Sequence, residues 1–383
     1  MQLPPANGLL ERAETITDSV QLADRILRAG YFVHASDVHI DPMEGWTRVR
    51  FRIDGELEDV LRLPSAMQSP LVSRLKVLAS LDIAEKRAPQ DGGFSWRMAQ
   101  MPTMPPLDIR MATLPCRHGE RVTLRLLETG GRRLGMDDLG LSARDRDVFA
   151  RILAKPHGLV LLTGPTGSGK TTTLYAAINE LLKGDAKNII TVEDPIEYEI
   201  PGVAQAEVDS ADKVNFAKAL KSILRHDPDV VMIGEIRDGE SLDAAVKASL
   251  TGHLVLSTLH ANDAKSSVTR LVDMGLDPKM ATATLRLAVA QRLVRRICRD
   301  CAEEYEPGEA ELAVLGLAGR PGLRLQRGRG CAKCGGRGYV GRVGLFELYE
   351  PGGPDYGTMK DDAREKVMSG MTSLAEVLKA TGD

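Results

Sequence analysis

The residues Gly164-Pro165-Thr166-Gly167-Ser168-Gly169-Lys170-Thr171 carry the clearest chemistry in this chain. They fit the G-x-x-x-x-G-K-[ST] spacing of a loop that wraps the phosphates of a nucleotide. Glycine at these positions lets the backbone curl so that successive N–H groups converge on phosphate oxygens. Lys170 brings a compact positive charge for the β- and γ-phosphates, and Thr171 offers a hydroxyl to Mg²⁺. The flanks agree. Leu159-Val-Leu-Leu-Thr163 is an apolar run of strand length, and Thr172 to Lys183 reads as a helix whose N-terminus faces the phosphates. A surface turn rich in Gly, Ser and Thr shares the composition but not this strand, Lys-Thr pair and helix. Gly164 to Thr172 are therefore the nucleotide-binding candidates, with ATP and Mg²⁺ as the expected ligands.

Phosphoryl transfer to water also needs a positioned water and positive charge for the transition state. Three segments end apolar runs with acids or histidines: Ile190-Thr-Val-Glu193-Asp194-Pro195-Ile-Glu197, Val230-Val-Met-Ile-Gly-Glu235-Ile-Arg237-Asp238 and Thr251-Gly-His253-Leu-Val-Leu-Ser-Thr-Leu-His260. Either acid alone reads as a solvated loop residue. Two clusters at strand ends of a sheet with a phosphate loop make Glu235 the candidate for the Mg²⁺ shell and Glu197 for orienting the attacking water. His253 and His260 could sense the γ-phosphate, with satisfied structural histidines as the alternative. Arg110 and Arg125 lie on the polar faces of alternating strands, opposite Ile109 and Met111 and opposite Val122, Leu124 and Leu126. An arginine so placed could reach a nucleotide bound elsewhere, a contribution on the order of 10³–10⁵ in rate, although exposed arginines mostly do nothing catalytic.

Four of the five cysteines form two C-x-x-C pairs, Cys298/Cys301 and Cys331/Cys334. The pairing is that of a closed, structural Cys₄ zinc site, with a redox or unliganded set as the alternative. Cys116 stands alone and reads as a buried or neutral thiol.

At 383 residues the chain has room for two or three domains. Its net charge of −3 gives no support to a large nucleic-acid footprint. No apolar run approaches a membrane span, and the N-terminus lacks a charged start followed by an apolar core. The expectation is a cytoplasmic protein that meets a membrane through partners. Residues 1–130 read as an α+β domain: a helix over 17–29 ending at Gly30, alternation at Arg48–Ile53, an Asp54-Gly55 hairpin and return strand 56–60, a helix marked by Leu71, Leu75, Leu78 and Leu81, then alternating strands 108–114 and 121–127. Residues 131–146 read as a linker, introduced by Gly130-Gly-Arg-Arg. Residues 147–297 carry apolar runs at 159–163, 189–192, 230–233 and 254–257, most separated by helical patterns, as in a parallel sheet buried on both faces; 263–297 reads as helical. Residues 298–340 form the Cys₄ subdomain, and 341–383 a tail with one helix at about 361–379.

These motifs resemble the secretion ATPases of type II secretion and type IV pilus assembly. The resemblance covers roughly residues 15–350 and rests on Ser36-Asp-Val-His-Ile, Arg52-Ile-Asp-Gly55, Leu81-Asp-Ile-Ala-Glu-Lys-Arg-Ala-Pro-Gln-Asp91, Gly119-Glu-Arg-Val, the phosphate loop, the Glu-Asp-Pro-Ile-Glu box, Leu224-Arg-His-Asp-Pro-Asp229, Gly234-Glu-Ile-Arg-Asp238, Thr251-Gly-His-Leu, Ala290-Gln-Arg-Leu and the C-x-x-C pairs. It implies an α/β architecture: a PAS-like α+β N-terminal domain joined to a RecA-like ATPase domain with a zinc-binding C-terminal subdomain. It further implies a homo-hexamer at the cytoplasmic face of the inner membrane, an inner-membrane platform protein as partner, and no nucleic acid. Glu197 falls on the family's catalytic glutamate, Glu235 on its Walker B glutamate, His253 and His260 on its histidine box, and Arg110 and Arg125 on the arginines that reach the phosphates. About 15 residues precede the match, short for the docking domain that assembly ATPases often carry. The paired cysteines favour an assembly motor over a retraction motor. A nucleic-acid translocase and a non-hydrolysing ATP switch are the rival functions.

Overall fold

The computed structural model describes residues 6–11, 13–98, 106–128, 134–184, 187–208, 216–318 and 322–382. The expected Gly130-Gly-Arg-Arg opening of the linker lies outside them. The chain divides into two compact units: Met1–Arg132 with Ile297–Glu303 and Arg327–Gly341, and Arg133–Arg296 with Glu304–Gln326 and Arg342–Asp383.

The first unit is built on an antiparallel sheet ordered β3-β2-β1-β6-β5-β4, with β1 Ala35–Pro42, β2 Trp46–Ile53, β3 Glu56–Pro64, β4 Gln90–Trp96, β5 Leu107–Cys116 and β6 Gly119–Glu128. The Asp54-Gly55 hairpin forms as expected, both residues taking positive φ (50° and 92°). Alternation buries Val49, Phe51 and Ile53 of β2 and Val122, Leu124 and Leu126 of β6 against helices Ser19–Phe32 and Gln68–Leu78. Gly30 does not end the first helix, which runs on to Phe32. A Cβ at Gly30 would stand 3.1 Å from Leu126 Cδ1, so this glycine lets the helix seat closely on the sheet. Cys116 ends β5 and is exposed.

The second unit holds a seven-stranded sheet ordered β15-β12-β7-β11-β10-β8-β9. Its strands are β7 Gly158–Thr163, β8 Ile189–Glu193, β9 Ala204–Glu207, β10 Val230–Ile233, β11 Leu254–Leu259, β12 Leu285–Ile297 and β15 Tyr339–Tyr349. Strands β12, β7, β11, β10, β8 and β9 pair in parallel. β7 feeds Val160 and Leu162 into one core and Leu159 and Leu161 into the other, so helices cover both faces. A ribbon of β13 Ala302–Tyr305 and β14 Leu325–Gly328 completes the strands.

Two expectations fail here. Residues 263–297 are helical only in Ser266–Asp273 and Pro278–Thr284; Leu285–Ile297 is the strand β12. Its Leu, Ala, Gln and Arg content favours helix, but its place between β7 and β15 buries Leu287 to Gln291 without a break, and tertiary packing overrides propensity. The single tail helix is instead two, Met359–Met368 and Leu374–Thr381, parted at Gly370 (φ 69°) and restarted by the Ser373 cap.

In the first unit Lys76, 1% exposed, donates to the Glu85 carbonyl at 2.6 Å and pairs with Glu120 at 2.5 Å, pinning the 81–91 segment against helix Gln68–Leu78. Lys76→Met leaves the Glu120 carboxylate buried without its cation. Urea unfolding should show a loss of about 3–5 kcal/mol, recovered in large part by pairing it with Glu120→Leu.

Candidate functional site

The phosphate loop leaves the C-terminal end of β7 and enters helix Lys170–Leu181. Gly164, Gly167 and Gly169 take φ of 144°, 78° and 89°. The first and last are also close approaches. A Cβ at Gly164 would stand 2.4 Å from the Gln291 carbonyl oxygen, and one at Gly169 would stand 2.8 Å from Gln291 Nε2. Strand β12 is thus the wall against which the loop curls. Thr173 donates to Gln291 Oε1 at 2.9 Å and fixes the helix to the same wall. Lys170 Nζ donates back to the carbonyls of Gly164 (2.8 Å) and Pro165 (3.0 Å), which places the ammonium over the loop. Burial lowers the Lys170 pKa, the Glu235 carboxylate raises it, and Arg292 lowers it further. Ser168 Oγ is buried without a hydrogen-bond partner. Pro165, Thr166 and Thr172 are exposed, and Thr171 is half-buried in the first helical turn. Left-handed glycines, a buried orphan hydroxyl and a lysine held over the turn fit a nucleotide phosphate.

Parallel register brings further residues to this edge. Glu235 follows β10; its Oε1 stands 3.1 Å from His260 Nε2, and its Oε2 accepts from Arg237 Nε at 3.1 Å. Arg237 also reaches Asp194 at 3.5 Å, tying the segment after β10 to the one after β8. Glu197 lies on that second segment. Its carboxylate is exposed, and its backbone N–H donates to the Tyr175 hydroxyl at 3.3 Å. Thr171 and Tyr175 share one face of the helix as an i, i+4 pair.

His253 is not at this edge. It precedes the first residue of β11, whose partner is Gly158 at the start of β7, and β11 then runs about 20 Å at roughly 3.3 Å per residue before reaching His260. His253 Nδ1 meets the Ala248 carbonyl at 2.9 Å and Thr251 Oγ1 at 3.2 Å, closing the C-terminal end of helix Gly239–Leu250. The structure gives it the satisfied structural role and leaves His260 as the histidine beside Glu235.

Arg110 and Arg125 belong to the first unit, directly opposite each other across β5 and β6 on the exposed face of the sheet. Register extends the row to Asp37 on β1 and Arg52 on β2. Asp37 accepts from Arg125 Nε at 3.3 Å and lies 3.8 Å from Arg52. Like charges facing each other across strands are unfavourable, so this row presents net positive charge with a single carboxylate to offset it. Residues that motif reading left without a role are Gln291 and Arg292, whose guanidinium donates to the Gln291 and Asn262 carbonyls at 3.3 Å each, and Tyr175. Their signal was the Ala290-Gln-Arg-Leu segment, whose contacts only the fold reveals.

The four sulfurs of Cys298, Cys301, Cys331 and Cys334 lie within 4.8 Å of one another. Pairs 298/331, 301/334 and 331/334 are 3.9, 3.9 and 3.7 Å apart. A tetrahedron with 2.3 Å Zn–S bonds sets its sulfurs about 3.8 Å apart. Burial opposes ionisation of Cys334, but the N–H groups of Cys331 and Gly338, each 3.2 Å from its sulfur, bring it down to about 7. The set fits zinc. The knob is fastened within its unit: Gly341 N–H donates to Asp54 Oδ2 at 2.9 Å, and Arg337 pairs with Glu58 at 3.7 Å.

The family described as Type II/IV secretion system protein matches residues 13–368. This chain belongs to that family. It is 45% identical to type II secretion system protein E of Pseudomonas aeruginosa and 44% identical to type II secretion system ATPase E of Vibrio cholerae, each across 99% of this chain and 78% of the relative. Among solved structures, the pilus retraction motor PilT with bound ADP aligns with a TM-score of 0.57 at 27% identity, over 93% of this chain and 91% of PilT. The Legionella pneumophila ATPase DotB aligns with a TM-score of 0.62 at 22% identity, covering 95% and 91%, which speaks for the fold. Family and architecture together make this chain a secretion ATPase, with the RecA-like sheet carrying its phosphate loop.

The zinc reading has a direct check. Purified protein should carry about one zinc per chain, released by a mercurial thiol reagent, and Cys334→Ser should lose the metal and lower the melting temperature. Metal-free protein with an unchanged melting curve would refute the site.

Proposed function

We propose that this secretion ATPase works as a hexamer at the cytoplasmic face of the inner membrane and uses Mg²⁺-dependent ATP hydrolysis to drive pseudopilus or type IV pilus assembly against a platform protein. The observation that carries the reading is the convergence of the phosphate loop, Glu235, His260 and the Glu197 segment on one edge of the parallel sheet, the edge where ligands of open α/β sheets bind.

The N–H groups of Thr166 to Thr171 hold the phosphate chain, and Lys170 leaves its carbonyl partners for phosphate oxygens. Thr171, with Glu235 behind it, would hold Mg²⁺, and the ion would there supply positive charge for the transferring phosphoryl group. Glu197, free of side-chain partners among the described residues, orients the attacking water. His260 keeps Glu235 in place and responds to charge at the γ-position. Arg110 and Arg125 supply guanidinium groups to the phosphates in the assembled ring, so that cleavage of the bond changes what holds the N-terminal unit. Four cysteines around zinc hold the knob rigid.

Lys170→Ala should lower the ATPase rate by roughly 10²-fold or more, and Glu197→Gln by about 10²-fold at unchanged ATP affinity. Specific activity should rise with protein concentration as rings form. Full turnover in either variant would sink the assignment, and a concentration-independent rate would sink the need for assembly.

A further inference from the structure

We propose that Tyr175 is a positioning residue for the water-orienting carboxylate: its buried hydroxyl ties the main chain of Glu197 to the helix that follows the phosphate loop. The proposal rests on the reading of Glu197 given above.

Tyr175 is fully buried. Its hydroxyl donates to Glu193 and accepts the Glu197 N–H. Burial, and then the Glu193 carboxylate, push the phenol well above its ordinary pKa, so the hydroxyl keeps its proton for Glu193 and its lone pair for Glu197. Glu193 is 2% exposed and spends its other oxygen on Thr191 Oγ1 (2.6 Å) and Gln205 Nε2 (3.0 Å). It is therefore locked, and cannot itself handle a water. The segment beyond it is held at several points. Ile196 N–H donates to Glu207 at 3.0 Å, Ile200 N–H donates to Gln205 Oε1 at 2.7 Å, and the Tyr198 ring stands edge-on to Tyr175 at 4.6 Å. The Ile196 and Ile200 bonds lead to β9 and the residues around it. The Tyr175 hydroxyl leads from this segment to the helix carrying Lys170 and Thr171, and it lands on Glu197.

A phenylalanine would fill the same volume and delete the hydroxyl, removing the tether to Glu197 together with the donation to Glu193. Placement errors near 1 Å can cost up to about 10²-fold in rate. Tyr175→Phe in the full chain should therefore lower kcat by about 10-fold while the Kd for a fluorescent ATP analogue stays within about twofold. Deuterium uptake over 194–200 should rise. In the Glu197→Gln background the substitution should cost nothing more, because the group it positions is already gone.

A parent-rate Tyr175→Phe, a parallel loss of ATP affinity, or losses that multiply with Glu197→Gln would each overturn the tether. If Tyr175→Phe fails to fold because the buried Glu193 carboxylate loses the donor to one of its oxygens, Tyr175→Phe/Glu193→Gln removes the buried charge with that donor and carries the same expectations. Glu197→Gln turning over at the parent rate would instead overturn the assignment of Glu197, a different result from a slow Glu197→Gln beside a parent-rate Tyr175→Phe.

Discussion

A loop can surround a phosphate only if its backbone takes turns that side chains forbid, and here that constraint meets a second one. Gly164 and Gly169 are left-handed and also pressed against Gln291 of β12, so a Cβ at either would need both a strained φ and space already occupied. Gly167, equally left-handed, faces open space and answers to φ alone. The cradle is therefore as good as its wall. Thr173 on Gln291 and Arg292 on the Asn262 carbonyl bind the wall to the phosphate helix and to the residues after β11.

Parallel pairing does the rest of the alignment. Thr163 is level with Leu259, and Ile233 is level with both Ser257 and Val192. Residues that follow these positions emerge on one edge, whatever their separation in sequence. Two acids of one short segment then part company. Glu193, still in the strand, is consumed by Tyr175, Thr191 and Gln205, while Glu197 is exposed and, among the described residues, held by its backbone alone. A buried carboxylate needs such a set of donors to stay stable, and a carboxylate that must meet water has to do without them.

The phosphate loop, the acids and the paired cysteines were legible because their chemistry is written in contiguous residues. Alternation also disclosed β2, β5 and β6 of the first unit. What escaped depended on partners distant in sequence. β12 looks helical from its residues and is a strand because it lies between β7 and β15. Gly30 has the look of a helix stop, yet the nearness of Leu126 explains it better. His253 and His260 sit in one motif seven positions apart, and only the direction of β11 separates a helix-capping histidine from one beside Glu235. Tyr175 carries no motif at all; its hydroxyl acquires meaning from Glu193 and Glu197 in the fold.

The cysteine knob repeats the glycine device on a different ligand chemistry. A Cβ at Gly328 would fall 1.9 Å from the Gly338 carbonyl oxygen, and Gly335, Gly336 and Gly338 all take positive φ. So many glycines cost conformational entropy on folding, and the knob has little apolar burial to offset it: its buried cluster, among the described residues, consists of Cys298, Cys301 and Cys334 with Cys331 against them. The hydrophobic effect cannot hold such a piece together, but its four sulfurs lie close enough to share one ion. The two C-x-x-C pairs bring the two ends of the knob together across 29 intervening residues, and the hydrogen bond from Gly341 to Asp54 seats it on the β2–β3 hairpin.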